Sequence, residues 1–244
     1  MTIKDLNPKI VWNNFYGLTQ VPRPSKHEAK VQEYLLKWGK EHGVDVKKDD
    51  TGNIIFTAPA TPGMENRRGV ILQGHMDMVP QKTGDSKHDF LTDPICTMID
   101  GDWVTADRTT LGADNGIGVA MGLSVLEDKT IKHGPVEVLV TYDEETGMTG
   151  ANSLKPGVLT GDILINLDSE EEGELCLRRR RLRSIRSLRF HPFRTREAQP
   201  LPSLSQSIPA LLNAALSRFF SSSIVNALSV SGLMNFLNGS FPSL

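Results

Sequence analysis

Between residues 27 and 42 the apolar positions Val31, Tyr34, Leu35 and Trp38 recur at intervals of three and four, the spacing of one helical face. Gly43 follows as a stop signal. Ahead of this segment, Ser25 and Glu28 have the spacing of a capping box just after the turn-forming stretch VPRPS. Four short apolar runs come next, each predicting a strand: NIIFTA (53–58), GVILQGH (69–75), VEVLVTY (136–142) and DILINL (162–167). Turn-rich segments such as ATPGMEN separate them, and a second helical stretch, NGIGVAMGLSVLED (115–128), lies between the second and third runs. Strands alternating with helices predict an α/β domain built on a central sheet flanked by helices.

The pattern fails after residue 176. Segments such as LPSLSQSIPALL show neither a helical nor a strand period, and the spacing suggests only a short helix near 209–220. Composition changes at the same place. The whole chain of 244 residues is 39% hydrophobic with a formal net charge of −2, ordinary for one or two domains. Residues 1–176 carry 17 Lys and Arg against 28 acids, a net −11; residues 177–244 carry 10 Arg, no Lys and one acid, a net +9. We therefore divide the chain into a folded part, 1–176, and a basic, Ser/Leu-rich tail, 177–244. The tail is expected to be an out-of-frame, poorly ordered segment. Its run RRRRLRSIRSLR would neutralise phosphates as a nucleic-acid arm, a reading that ranks behind the other.

Two cysteines, Cys96 and Cys176, lack metal-binding spacing, which points to a reducing compartment. The N-terminus has no secretory layout, and no uninterrupted apolar run reaches about 18 residues, so no membrane span and a cytoplasmic location are expected.

Four motifs place acids or histidine at strand ends or in the loops after them: GHMDMVP (74–80), TTLGADNGIG (109–118), YDEETG (142–147) and NLDSEEEG (166–173). Loops beyond strand carboxyl ends are the usual ligand sites of open α/β sheets. His75 would offer an imidazole whose tautomer Asp77 fixes, although a lone strand-end histidine is more often structural. Asp114, between Gly112 and Gly116, reads either as a helix N-cap or as a carboxylate approachable by two ions. Glu144 and Glu145 read as a solvated turn, or as a ligand beside a general base. Asp168 ends a buried strand as His75 does, whereas Glu170 to Glu172 read as a solvated face. One imidazole with several carboxylates suits zinc, or a manganese or cobalt pair, better than a structural thiolate site. Neither a phosphate-binding loop nor a serine-nucleophile elbow competes with this set.

Together with VPRPSKHE, ATPGMENRRGVILQ and MVPQKTGDSKHDFLTDP, these motifs resemble the M20 metallopeptidases, in their cytosolic aminoacyl-histidine dipeptidase branch, from about residue 5 to 175. The resemblance implies a zinc-peptidase-like catalytic domain, present here in its N-terminal part, with an inserted lid or dimerisation domain and a homodimeric assembly. It implies a dizinc centre that hydrolyses dipeptides such as Xaa-His. Carried over motif by motif, His75 and Asp168 bind zinc, Asp114 bridges the two ions and Glu145 binds the second. Asp77 orients His75, and Glu144 acts as general base toward the attacking water. Two departures stand out. Arg108 replaces a small residue and is expected to crowd or perturb the site. After GELC, the glycine-rich continuation, the lid and the half supplying the last zinc histidine are not recognisable, and His191 is not assigned that role. The chain is thus expected to be such a dipeptidase or, alternatively, a catalytically incompetent fragment with at most weak single-metal binding.

Overall fold

The four apolar runs become four strands of one sheet, and the direction of three of them builds the site. A computed structural model of the chain describes residues 1–168, together with the backbone of three strands at 174–179, 186–189 and 208–209. A 3-10 turn (Ile3–Asp5) is followed by α1 (Lys9–Thr19), α2 (Ala29–Glu41), β1 (Asp45–Lys48), β2 (Ile54–Ala58) and β3 (Val70–His75). Next come β4 (Thr97–Asp100), β5 (Trp103–Ala106), α3 (Ala113–Glu127), β6 (Val136–Thr141), α4 (Glu144–Gly147) and α5 (Thr149–Asn152). β7 (Ile163–Asn166), β8 (Glu174–Arg179), β9 (Arg186–Arg189) and β10 (Ile208–Pro209) complete the described elements.

The main sheet has the order β1-β2-β6-β3-β7-β8-β9. β3 pairs in parallel with β6 on one side and β7 on the other, whereas the outer pairs are antiparallel. This is the α/β class expected from the alternation, with a mixed sheet. β8 runs through the compositional boundary, with Cys176 opposite Asn166 and Arg179 opposite Ile163. A hairpin of β4 and β5 carries β10 along its other edge. The remainder of 177–244, including His191 and the helix expected near 209–220 from residue 210 onward, lies outside the described residues, as do Glu170 to Glu172.

Side-chain alternation sorts the strands between two apolar layers. Ile54 and Phe56 of β2, Leu72 of β3, and Val138 and Val140 of β6 face the larger layer, where they join Trp12, Phe15, Leu35 and Leu123 from the three long helices. Ile55, Ile71 and Leu139 face the other way, under Leu154, Val158, Leu159 and Leu164. α1 was not read from the sequence, yet it buries Val11, Trp12, Phe15 and Leu18 at helical spacing.

Asn14 ties the helices together. It is 4% exposed; its amide donates to Glu127 (2.8 Å) and Ser124 (3.3 Å) of α3, while its carbonyl accepts from the Trp38 indole of α2 (2.9 Å). The capping box at Ser25 and Glu28 does not form. α2 starts at Ala29, the Ser25 hydroxyl donates to the Met78 carbonyl (3.4 Å), and Glu28 Oε1 accepts from the Lys26 N–H (2.9 Å). The reason is a competing pairing: Pro24 bridges Met78, and Met78 and Ser25 exchange backbone bonds with Arg23 and Met78, drawing this segment to the end of β3.

Removing Asn14 leaves a buried indole N–H without an acceptor, so Asn14→Ala is expected to lower the unfolding free energy by about 2 kcal/mol. Urea unfolding followed by tryptophan fluorescence checks this; a loss of a few tenths would mean that the three helices do not depend on the link.

Candidate metal centre

Because β6, β3 and β7 are parallel, their carboxyl ends open on the same edge of the sheet. β3 delivers His75 opposite Thr141 of β6, and β7 lies two residues back with Asn166 opposite Gln73. The chain leaving β3 carries Asp77, the chain leaving β6 carries Asp143, Glu144 and Glu145, and the chain leaving β7 carries Asp168. The sequence scattered these residues over 94 positions (75 to 168); strand direction gathers them.

Asp77 is the fixed point. Its Oδ1 accepts from His75 Nδ1 (3.2 Å) and from the Glu144 N–H (3.0 Å), and its Oδ2 accepts from the Glu145 N–H (3.2 Å). One buried carboxylate therefore orients the imidazole and pins the start of α4. Asp143, in the left-handed region at φ 49°, is held by the hydroxyls of Thr146 and Thr149. On the α3 side, Asp114 and Asn115 depart from helical dihedrals. The Asn115 amide donates to the Leu167 carbonyl (3.0 Å) and to Asp168 Oδ1 (2.9 Å), which ties this loop to β7. A Cβ on Gly74 would collide with the Asn115 side-chain oxygen, so the residue before His75 must be glycine.

Arg23 lies beneath these loops. Its guanidinium donates to the carbonyls of Met76 (3.0 Å), Asp77 (3.1 Å) and Gly112. Burial lowers its pKa to about 10, against the pull of Asp77, Asp114 and Glu145. A Cβ on Gly112 or Gly116 would meet its Nη2 at 2.5 and 2.6 Å, which explains the glycines around Asp114.

The other nitrogen of His75 faces three acids. Nε2 lies 2.9 Å from Asp114 Oδ1, 3.6 Å from Asp168 Oδ1 and 3.9 Å from Glu144 Oε2. Burial disfavours the charged imidazole, but hydrogen bonds to Asp114, Asp168 and Asp77 override it and push the pKa up to about 12. Burial, with Asp114, Asp77 and Glu144 adding to it against His75, pushes the Glu145 carboxyl up to about 7. Burial raises Glu144 as well, and Asp168, Asp77 and Asp114 add to it while His75 opposes. Two ligand triads result, His75–Asp114–Glu145 and His75–Glu144–Asp168, each with its donor atoms within 4.8 Å of one another.

Glu145 Oε1 is buried with no hydrogen-bond partner. Acid oxygens in excess around one imidazole nitrogen, one of them unsatisfied, fit a divalent cation, and the nitrogen and oxygen donor set is of the zinc type. All six sequence-derived site residues, His75, Asp77, Asp114, Glu144, Glu145 and Asp168, thus meet at one place.

Arg108 does not crowd them. Its side chain is half-exposed, and the guanidinium is held by Asp107 (3.2 Å) and Asp85 (3.4 Å) at the surface. The residue sits at φ 55°, in the left-handed region. Arg23 and Asn115 escaped sequence reasoning because their partners are backbone carbonyls and a carboxylate distant in the chain. Arg23 lay within VPRPS, where only the turn chemistry was legible.

Comparison with known proteins identifies the relatives of this chain. The profile of peptidase family M20/M25/M40 matches residues 71–228. The chain is 54% identical over 175 residues to the cytosol non-specific dipeptidase of Escherichia coli K12, covering 72% of this chain and 36% of that protein. The crystal structure of aminoacylhistidine dipeptidase from Vibrio alginolyticus superposes with a TM-score of 0.69 at 57% identity, over 71% of this chain and 35% of that one. The aminopeptidase PepT structure from Bacillus cereus gives 0.58 at 30% identity, over 68% and 44%. The chain therefore spans little more than a third of the length of the first two relatives. With the profile covering most of the chain and the site residues inside it, the chain belongs to peptidase family M20/M25/M40.

Proposed function

We propose that this chain carries the centre of a metal-dependent dipeptidase acting on dipeptides such as Xaa-His. The observation that carries this reading is the convergence of His75 and four carboxylates on one sheet edge, in a chain 54% identical to an E. coli dipeptidase. His75 and Asp168 would hold zinc, with manganese or cobalt as substitutes; Asp114 would serve as a shared ligand and Glu145 as a ligand of a second ion. When bound, the ions supply Lewis acidity toward the scissile carbonyl and the attacking water.

The chain's own residues do the rest. Asp77 keeps the proton on His75 Nδ1, so that Nε2 points its lone pair into the centre. Glu144, whose carboxyl is raised by burial and by neighbouring acids, takes the proton of the attacking water on a side-chain oxygen and returns it to the leaving amine. Its position is fixed by the bond from its N–H to Asp77, so the orienting acid and the base are parts of one rigid unit. No helix among the described residues is long and apolar enough to cross a membrane. The E. coli relative is by name a cytosol dipeptidase, and we extend that location to this chain.

A second reading, a chain that holds metal weakly and does not turn over, draws on the matched region being 36% of the E. coli relative. Chelator-sensitive release of histidine from β-alanyl-histidine by the purified chain supports the first reading; metal binding without hydrolysis supports the second.

Three outcomes test the centre itself. Zinc at a hundredfold excess over its dissociation constant is expected to stabilise the fold by about 2.7 kcal/mol, reversed by EDTA. Thermal unfolding with and without zinc, manganese or cobalt reads this, and no shift with any of them rules the centre out. Asp77→Asn is expected to weaken metal binding by about 10–100-fold. Glu144→Gln is expected to leave metal content intact while lowering kcat by about 10²–10⁴-fold. Metal analysis beside steady-state kinetics separates the two, and equal loss of metal in both variants would contradict the assigned roles.

A further inference from the structure

A second acidic cluster lies behind the first. Glu28, Asp77 and Asp143 are 1%, 0% and 5% exposed, and one oxygen of each lies within 4.8 Å of the others. Three ionised carboxylates in such a space would repel one another without solvent to screen them. The three acids differ in their hydrogen bonds. Asp77 accepts from His75 Nδ1 and from the N–H groups of Glu144 and Glu145, and Asp143 accepts from two threonine hydroxyls. Glu28 Oε1 accepts from the Lys26 N–H, but Oε2 is buried with no partner.

An ionised Oε2 here would be an unsatisfied buried anion, whereas a protonated one would be a donor beside two carboxylates that keep free lone pairs. We propose that Glu28 is a positioning residue of the centre, holding a proton on Oε2 and donating it into the Asp77–Asp143 pair, so that the acid orienting His75 is itself held in place.

The surroundings agree. Burial raises the Glu28 carboxyl, and Asp77 and Asp143 raise it further, against hydrogen bonds from the backbone N–H groups of Lys26 and Glu28. On its own turn, Lys26, His27 and Lys30 line with it an open pocket of about 400 Å³ that Leu91 and Tyr142 also line. Lys30 is turned to the Leu91 carbonyl (2.8 Å). From β3 the facing groups are Asp77 with His75 behind it, and from the end of β6 they are Tyr142 and Asp143. A proton on Oε2 needs one free lone pair on either aspartate, whereas a cation would need an oxygen from all three acids.

The role in orienting His75 rests on the metal-centre reading, whereas the proton itself can be observed without metal. Infrared spectra of the full chain with ¹³C-labelled glutamate carboxyls are expected to show, at neutral pH, a carboxylic-acid band that loses intensity in Glu28→Gln. If Glu28→Gln removes intensity from the carboxylate band, the inference is overturned. Carboxyl ¹³C NMR of the wild-type chain gives the same answer without any variant: the Glu28 signal stays at its protonated position through neutral pH, or the inference fails. For the positioning role, Glu28→Gln, which keeps a donor, is expected to retain zinc affinity, whereas Glu28→Leu weakens it about tenfold. Equal affinities in the two variants would refute positioning, and an additional bound cation lost in Glu28→Gln would refute the proton. A wild-type chain that binds no zinc would sink the metal-centre reading alone, since the infrared and NMR results still decide the state of Glu28.

Discussion

The common direction of β6, β3 and β7 is the constraint on which the centre depends. A parallel strand releases its chain at the same sheet edge as its neighbours, so the residues that follow three such strands are forced into one volume. Here those residues are His75 and Asp77, then Asp143 to Glu145, then Asp168. Reversing any one strand would carry its acids to the far edge. The apolar runs secure this by their own chemistry, since Leu72, Val138, Val140 and Ile165 are almost fully buried and fix both register and face.

Concentrating so many acids creates an electrostatic problem that the surrounding structure addresses in layers. The innermost acids face His75 Nε2, where an imidazolium proton or a metal dication offsets them. Asp77 is met by a ring of N–H donors, Asp143 by threonine hydroxyls, and the buried guanidinium of Arg23 adds a permanent positive charge beneath the loops. Glu28, with the fewest donors, completes the series as a neutral acid. Each solution is also a mechanical link: Arg23 joins the β3 loop to the α3 loop, Asp77 joins β3 to α4, and Asn115 joins α3 to β7. Charge compensation and positioning are therefore carried by the same bonds.

Much of this was legible from local patterns. The apolar runs at 53–58, 69–75, 136–142 and 162–167 all became strands, and the motifs after three of them held all the acids of the centre except Asp114, which enters from the α3 loop. α1 was missed because its apolar positions lie among Asn13, Asn14 and Gly17, which weaken a helical reading until Asn14 finds Trp38 and Glu127. Ser25 and Glu28 had the spacing of a cap, but the pull of Met78 on the Pro24–Ser25 backbone overrode it. Arg108 looked intrusive only because sequence shows the size of a side chain and not its direction.

The sequence by itself determined the class of fold, the identity of the donor atoms and the shift of composition at residue 176, because periodicity, residue type and charge are local properties. Tertiary structure alone decided which acids share a neighbour and which donors each of them meets. It also turned Glu28 from a presumed helix cap into a buried partner of Asp77. The reason is physical: the state of a carboxyl depends on the donors and charges within a few ångströms, and those come from chain segments that only the parallel sheet brings together.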